Sequence, residues 1–172
     1  RVVGTHFWNP PFLVPLVEVV QAEATDPAVV QATMDLLIGV GKLAVHVKKD
    51  IPGFIGNRLH HALKREAIAL VADGVCDAET IDTVVKSGFG ARMAVLGPME
   101  QLDLVGLGLT LDIHNVLIQH LDNAPGPHPY LAEKVARGET GMNAGKGFRD
   151  WTEETAGEVR RRLADHLIES AP

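Results

Sequence analysis

His6 and Glu18 are the two side chains of this sequence best suited to moving a proton. They lie twelve residues apart in "GTHFWNPPFLVPLVEVV", on two runs rich in β-branched residues joined by the turn "NPPFLVP". A hairpin-like return would therefore set the carboxylate against the imidazole. A carboxylate in that place holds the ring's tautomer and stabilises the imidazolium, which is the logic of a general base. The plainer reading stands beside it: a lone strand histidine is commonly a satisfied core residue, and a lone glutamate commonly faces solvent. Spacing alone leaves both open.

Asn57 is a further candidate. Pro52-Gly53 turns the chain, and Asn57 stands in the first turns of the helix that follows. There an amide can donate to an oxygen near the helix N-terminus, or simply cap locally. Other groups do less. His60 and His61 are adjacent on a helix, so they point in different directions, and His114 and His120 miss helical chelate spacing. His128 sits in a Pro-rich loop, and no metal site is expected. The one cysteine, Cys76, excludes an internal disulfide and has no basic neighbour to activate it, so it reads as a packing thiol.

A dinucleotide site needs G-x-G-x-x-G/A after a strand and opening a helix. The only formal match, "GVGKLA" from Gly39 to Ala44, runs from helix to strand and reads as a helix C-cap.

Strand signals cover Val2 to Phe7, Pro15 to Gln21 and Leu43 to Lys48. Between the last two, Asp26 caps Pro27, and Val29, Val30, Met34, Leu37 and Ile38 recur at helical spacing up to Gly39 and Gly41. From Pro52 the pattern turns helical. One stripe runs from Phe54 to Val71 and ends at Gly74; Asp77 starts a helix to Gly88, and Gly97-Pro98 starts another to about Val105. More are expected near 108–122, 129–137 and 152–169. Three strands at one end leave open backbone edges, so something is expected to cover or continue that sheet.

The 172 residues, 46% of them hydrophobic, suffice for one ordinary core. A net charge of −6 argues against a nucleic-acid partner. The basic cluster Arg160 to Arg162 reads as a solvated helix face. No apolar run reaches the ~18 residues of a membrane span, and no signal peptide is recognisable, so no membrane partner and a cytoplasmic protein are expected.

In order and spacing, "GTHFWNPPFLVPLVEVV", "VKKDIPGFIGNRLHHALKREAIALVADGV", "IDTVVKSGFG" with "GPMEQLDLVGL", and "GKGFRDW" resemble the 3-hydroxyacyl-CoA dehydrogenase family. The resemblance runs from Val3 to about Trp151. It implies a two-domain enzyme: an NAD-binding Rossmann domain followed by a helical domain for substrate binding and dimerisation. The chain is then expected to be mainly α, with a short three-stranded remnant of a Rossmann-type sheet at its N-terminus. Residues 1–50 would be the terminal strands and helix of a truncated NAD-binding domain, and 51–172 the helical C-terminal domain.

The resemblance further implies that His6 is the catalytic base, Glu18 its partner, and Asn57 a donor that positions the substrate oxygen. Asn9, in the same H-F-x-N-P turn as His6, becomes a substrate-binding candidate, and the alternative is that its side chain simply holds that turn. The family's serine would precede residue 1, and with no nucleotide cradle the chain alone is expected neither to bind its cofactor, NAD, nor to turn over. The link "ARMAVL" is longer than the one associated with members acting on fatty acyl-CoA, and resembles branches that oxidise small hydroxy acids, including pyridine-derived carboxylates. Arg92 would then pair with a substrate carboxylate, or else be a surface arginine after a Gly-rich turn.

The leading expectation is the C-terminal part of an NAD-dependent L-3-hydroxyacyl-CoA dehydrogenase of fatty acid metabolism, converting a 3-hydroxy to a 3-keto compound. The alternatives are a relative acting on a small hydroxy acid, or a non-catalytic helical dimerisation or acyl-binding module. A homodimer is expected, because the helices carry more apolar faces than one small layer can bury.

Overall fold

A computed structural model describes residues 2–170. The chain forms two compact units, one made of the residues up to His61 together with those from Glu154 on, the other Ala62–Glu153. The structure is mainly helical with one small sheet.

In the first unit, β1 (Gly4–Phe7), β2 (Leu16–Val20) and β3 (Leu43–Val47) form a sheet in the order β1-β2-β3. β1 runs antiparallel to β2, as the turn between them requires, and β2 is parallel to β3. A parallel pair needs a crossover, and α1 (Pro27–Gly39) supplies it. Its start is where the sequence puts it: Asp26 accepts from the Ala28 N–H at 2.9 Å and Pro27 opens the helix.

Val30 and Leu37 of α1 pack on Val17 and Val19 of β2 to make the core of this unit. Alternation along β2 turns Glu18 to the other face of the sheet. The turn between β1 and β2 is closed by backbone bonds: the N–H groups of Leu13 and Val14 both donate to the Pro10 carbonyl, at 3.1 and 3.0 Å. The Lys42 ammonium adds donations to the carbonyls of Pro11 and Val14.

α2 (Gly56–Ala72) begins in the first unit. The second unit then holds α3 (Ala78–Ser87), α4 (Gly90–Met93), α5 (Pro98–Val105), α6 (Leu107–Leu117) with a 3₁₀ turn over Ile118–His120, and α7 (Pro129–Ala136). α8 (Glu153–Glu169) belongs almost wholly to the first unit.

Caps explain most of these boundaries. Asp77 accepts from the Thr80 N–H at 2.7 Å, Glu100 accepts from the Gly97 N–H at 2.9 Å, and the His128 ring accepts from the Tyr130 N–H at 3.2 Å. The helix expected near 108–122 is shorter than its apolar run: the last residues tighten to 3₁₀ and the chain leaves at Leu121 in extended conformation. The short α4 has no counterpart in the sequence reading, because a four-residue turn is too brief to show a period.

After α7 the chain is tied down by charge. The buried Lys134 ammonium donates to Glu139 and to the Gly147 carbonyl, both at 2.9 Å, and lies against the rings of Tyr130 and Phe148. Bonds from Arg137 and Lys134, against a smaller desolvation cost, pull the Glu139 carboxyl down to about 2. "GKGFRDW" thus has a structural use: Gly147 supplies an acceptor, Phe148 a wall, and Arg149 a guanidinium that reaches Asp82 at 3.3 Å and Glu79 at 3.5 Å.

Candidate active site

The register of the β1–β2 pair sets His6 directly opposite Glu18. The imidazole Nδ1 lies 2.7 Å from Glu18 Oε2. The other carboxylate oxygen, Oε1, accepts from the backbone N–H groups of Ile55 and Gly56, each at 3.0 Å. Glu18 is almost completely buried, at 1% exposure, while the His6 side chain retains 29%.

These contacts decide the charge state. Burial alone would raise the Glu18 carboxyl, but the bond from His6 and those from the Gly56 and Ile55 N–H groups outweigh it, so the group sits below its ordinary value of 4.5. An ionised carboxylate only accepts, so Nδ1 is the nitrogen that carries hydrogen and donates. In the neutral ring Nε2 is then left with its lone pair free. That is the arrangement of a base held in one tautomer.

The donors to Glu18 come from an unusual junction. Gly53 and Phe54 both have left-handed backbone, with φ of +81° and +48°. The Phe54 N–H closes a turn on the Ile51 carbonyl at 3.0 Å. The next two N–H groups, at the N-terminus of α2, have no helical partner and are satisfied by Glu18 from another element.

Gly56 is required here for space: a Cβ on it would stand 2.1 Å from Cζ2 of Trp8, which seats its ring on the start of the helix. The rings of Trp8 and Phe54 both lie against the imidazole, at centroid distances of 5.8 and 5.5 Å. Trp8 Nε1 is buried with no partner among the described residues.

His6 and Glu18 are thus in direct contact. Asn57 follows Gly56 in the first turn of α2, half-buried, one residue beyond an N–H that holds Glu18. Asn9 is exposed, and the bonds that close its turn come from backbone groups and Lys42, none from its own amide. Arg92 lies exposed on α4 in the second unit, with no hydrogen bond or ion pair from its side chain among the described residues. The sequence reading missed the N–H groups of Ile55 and Gly56 and the two aromatic rings. A glycine at the start of an otherwise helical stripe was the available sign of a close approach.

The glycines with formal dinucleotide spacing do not form a pyrophosphate cradle. Gly39 to Gly41 ends α1 and leads into β3; the Gly41 N–H is spent on the Ile38 carbonyl at 3.0 Å and that of Lys42 on Leu37 at 2.9 Å. Among the described residues no cluster of three or more metal-ligating side chains occurs, and no helix is long and apolar enough to cross a membrane.

Residues 1–51 match the 3-hydroxyacyl-CoA dehydrogenase NAD binding domain, and residues 53–151 the C-terminal domain of the same family. The chain belongs to the 3-hydroxyacyl-CoA dehydrogenase family, whose enzymes are NAD-dependent oxidoreductases.

Among curated relatives it is 39% identical, over 98% of its length, to 5-formyl-3-hydroxy-2-methylpyridine 4-carboxylate 5-dehydrogenase of Mesorhizobium japonicum, and covers 54% of that protein. It is 40% identical, over 91% of its length, to a probable 3-hydroxybutyryl-CoA dehydrogenase of Bacillus subtilis, and covers 53% of it. A crystal structure of the pyridine-carboxylate dehydrogenase, described as an NAD+-dependent dismutase, superposes with a TM-score of 0.93 at 39% identity, over 97% of this chain and 54% of that one. The chain spans about half the length of the relatives it matches. The NAD-binding domain match and the NAD+-dependent neighbour support NAD as cofactor.

The Glu18 contacts set a pH dependence. A carboxyl lowered by folding stabilises the native state above its unfolded value, near 4.5, and loses that contribution as pH falls through its folded value. Unfolding followed by circular dichroism should therefore show stability declining as pH drops below about 4.5, with a shallower decline in Glu18→Gln. Equal acid slopes would show that Glu18 is not held as its contacts indicate.

Proposed function

We propose that this chain supplies the proton-handling part of an NAD-dependent enzyme that oxidises a hydroxyl group. The observation that carries the reading is the 2.7 Å bond between His6 and a buried carboxylate that is itself fixed by two backbone N–H groups. Oxidation of an alcohol removes a hydride from carbon and a proton from oxygen; NAD, when bound, supplies the hydride acceptor. His6 Nε2 takes the proton, and Glu18 stabilises the imidazolium that forms. In the reverse direction the same imidazolium returns the proton to the carbonyl oxygen.

Asn57 is assigned the donor to the substrate oxygen, Asn9 a weaker substrate contact, and Arg92 the partner of a substrate carboxylate. Residues 1–50 are assigned to the end of the NAD-binding domain, as the remnant of a Rossmann-type sheet, and 51–172 to the helical domain.

For the substrate we favour a small hydroxyl-bearing carboxylate. Its support is the similarity to the pyridine-carboxylate dehydrogenase along 98% of the chain, together with an Arg92 side chain left unpaired among the described residues. Oxidation of a 3-hydroxyacyl-CoA is the second reading, supported by the 40% identity to a probable 3-hydroxybutyryl-CoA dehydrogenase.

In the polypeptide that joins the NAD-binding domain to this chain, His6→Gln should lower kcat by about 10²- to 10⁴-fold with little change in KM. Glu18→Gln should act through the tautomer: its oxygen can still accept from Ile55 and Gly56, but its NH₂ would donate to Nδ1 and drive the ring hydrogen onto Nε2, removing the base. Assays with 3-hydroxybutyryl-CoA and with small hydroxy acids test this, and full activity in His6→Gln would rule it out.

We also propose a homodimer. α6 carries six Leu, Ile and Val side chains among its 11 residues yet has no buried residue, and Leu107, Leu111 and Val116 are 63%, 61% and 66% exposed. Sedimentation should give a dimer that Leu111→Glu with Val116→Glu dissociates; a monomeric wild type would refute this.

A further inference from the structure

We infer that Phe54 is a positioning residue for His6, an inference that rests on the reading of His6 as the base. Phe54 is the one described residue other than glycine with positive φ, at +48°. A bulky side chain is strained in that conformation, and such strain persists only where the surroundings enforce it.

Phe54 meets two demands at once. Its backbone, following Gly53 at +81°, aims the N–H groups of Ile55 and Gly56 at Glu18. Its ring lies 5.5 Å from the imidazole, tilted by 52°. Glycine would meet the backbone demand without strain, so what the phenyl group adds is its contact with His6. The Cβ–Cγ bond and the hydrogen bond at Nδ1 hold one edge of the imidazole and leave the ring room to tilt about that edge. The neighbouring rings of Phe54 and Trp8 restrict the tilt and so set where Nε2 points. Trp8 is itself fixed by its seat on Gly56, whereas Phe54 holds its ring by its own strained backbone.

Phe54→Gly separates the two demands, because it keeps the left-handed turn and deletes the ring. In the polypeptide carrying both domains it should lower kcat about 10- to 100-fold, leave KM within about twofold and alter the pH–rate profile. Phe54→Tyr should recover most of the rate. In the ¹⁵N spectrum of the imidazole, Phe54→Gly should move the His6 signals toward exchange-averaged values. Should Phe54→Gly fail to fold, Phe54→Asn carries the same expectation, because asparagine tolerates the left-handed turn and also lacks the ring.

Wild-type kcat, pH profile and imidazole signals in a folded ring-deleted variant would overturn the inference. His6→Gln keeps the two claims apart. If it is inactive while Phe54→Gly is fully active, only the role of Phe54 falls. If it is fully active, the base assignment itself falls.

Discussion

Burial of the Glu18 carboxylate is the constraint on which the first unit depends. Taking an ionised carboxyl out of water costs several kcal/mol, and it is tolerated only where its oxygens are matched by donors. Glu18 has three: the His6 ring and the N–H groups of Ile55 and Gly56. They come from β1 and from the start of α2, while the carboxylate comes from β2. One charged group thus sets the register of two strands and the entry of a helix. A slip of β1 by a single residue would turn His6 to the other face of the sheet and leave the charge without its ring donor.

The same requirement accounts for features that look irregular when taken singly. Two consecutive left-handed residues, Gly53 and Phe54, bend the chain so that α2 begins with its free N–H groups toward the sheet. Gly56 removes the Cβ that would collide with Trp8. Both serve the junction where the carboxylate is satisfied. The proposed proton transfer uses the same arrangement: a carboxylate already occupied on Oε1 leaves Oε2 to hold one nitrogen of the imidazole, and the other nitrogen is left without a bond to it.

Much of this was legible in the sequence, and the reasons are local. Asp26 before Pro27, Asp77 before a helical stripe and Gly97-Pro98 are caps whose meaning does not depend on tertiary context, and α1, α3 and α5 begin at them. The spacing of His6 and Glu18 across a Pro-rich turn allowed their pairing, although it left a solvated glutamate equally open. The backbone donors of Ile55 and Gly56 carry no side-chain signature, and their partner lies 37 and 38 residues away. The aromatic contacts of Trp8 and Phe54 were hidden for the same reason. Lys134 is buried at a position that a sequence pattern reads as exposed; only the carboxylate of Glu139, the Gly147 carbonyl and two rings make that position hospitable.

The proposed role of His6 depends on which ring nitrogen carries the hydrogen, and ¹⁵N NMR of the imidazole reads it directly. In the neutral form Nδ1, bonded to the Glu18 carboxylate, is expected to be protonated and Nε2 unprotonated, with that pattern lost in Glu18→Gln. A ring protonated at Nε2 in the wild type would contradict the role proposed for His6, because the nitrogen meant to take the proton would already hold one.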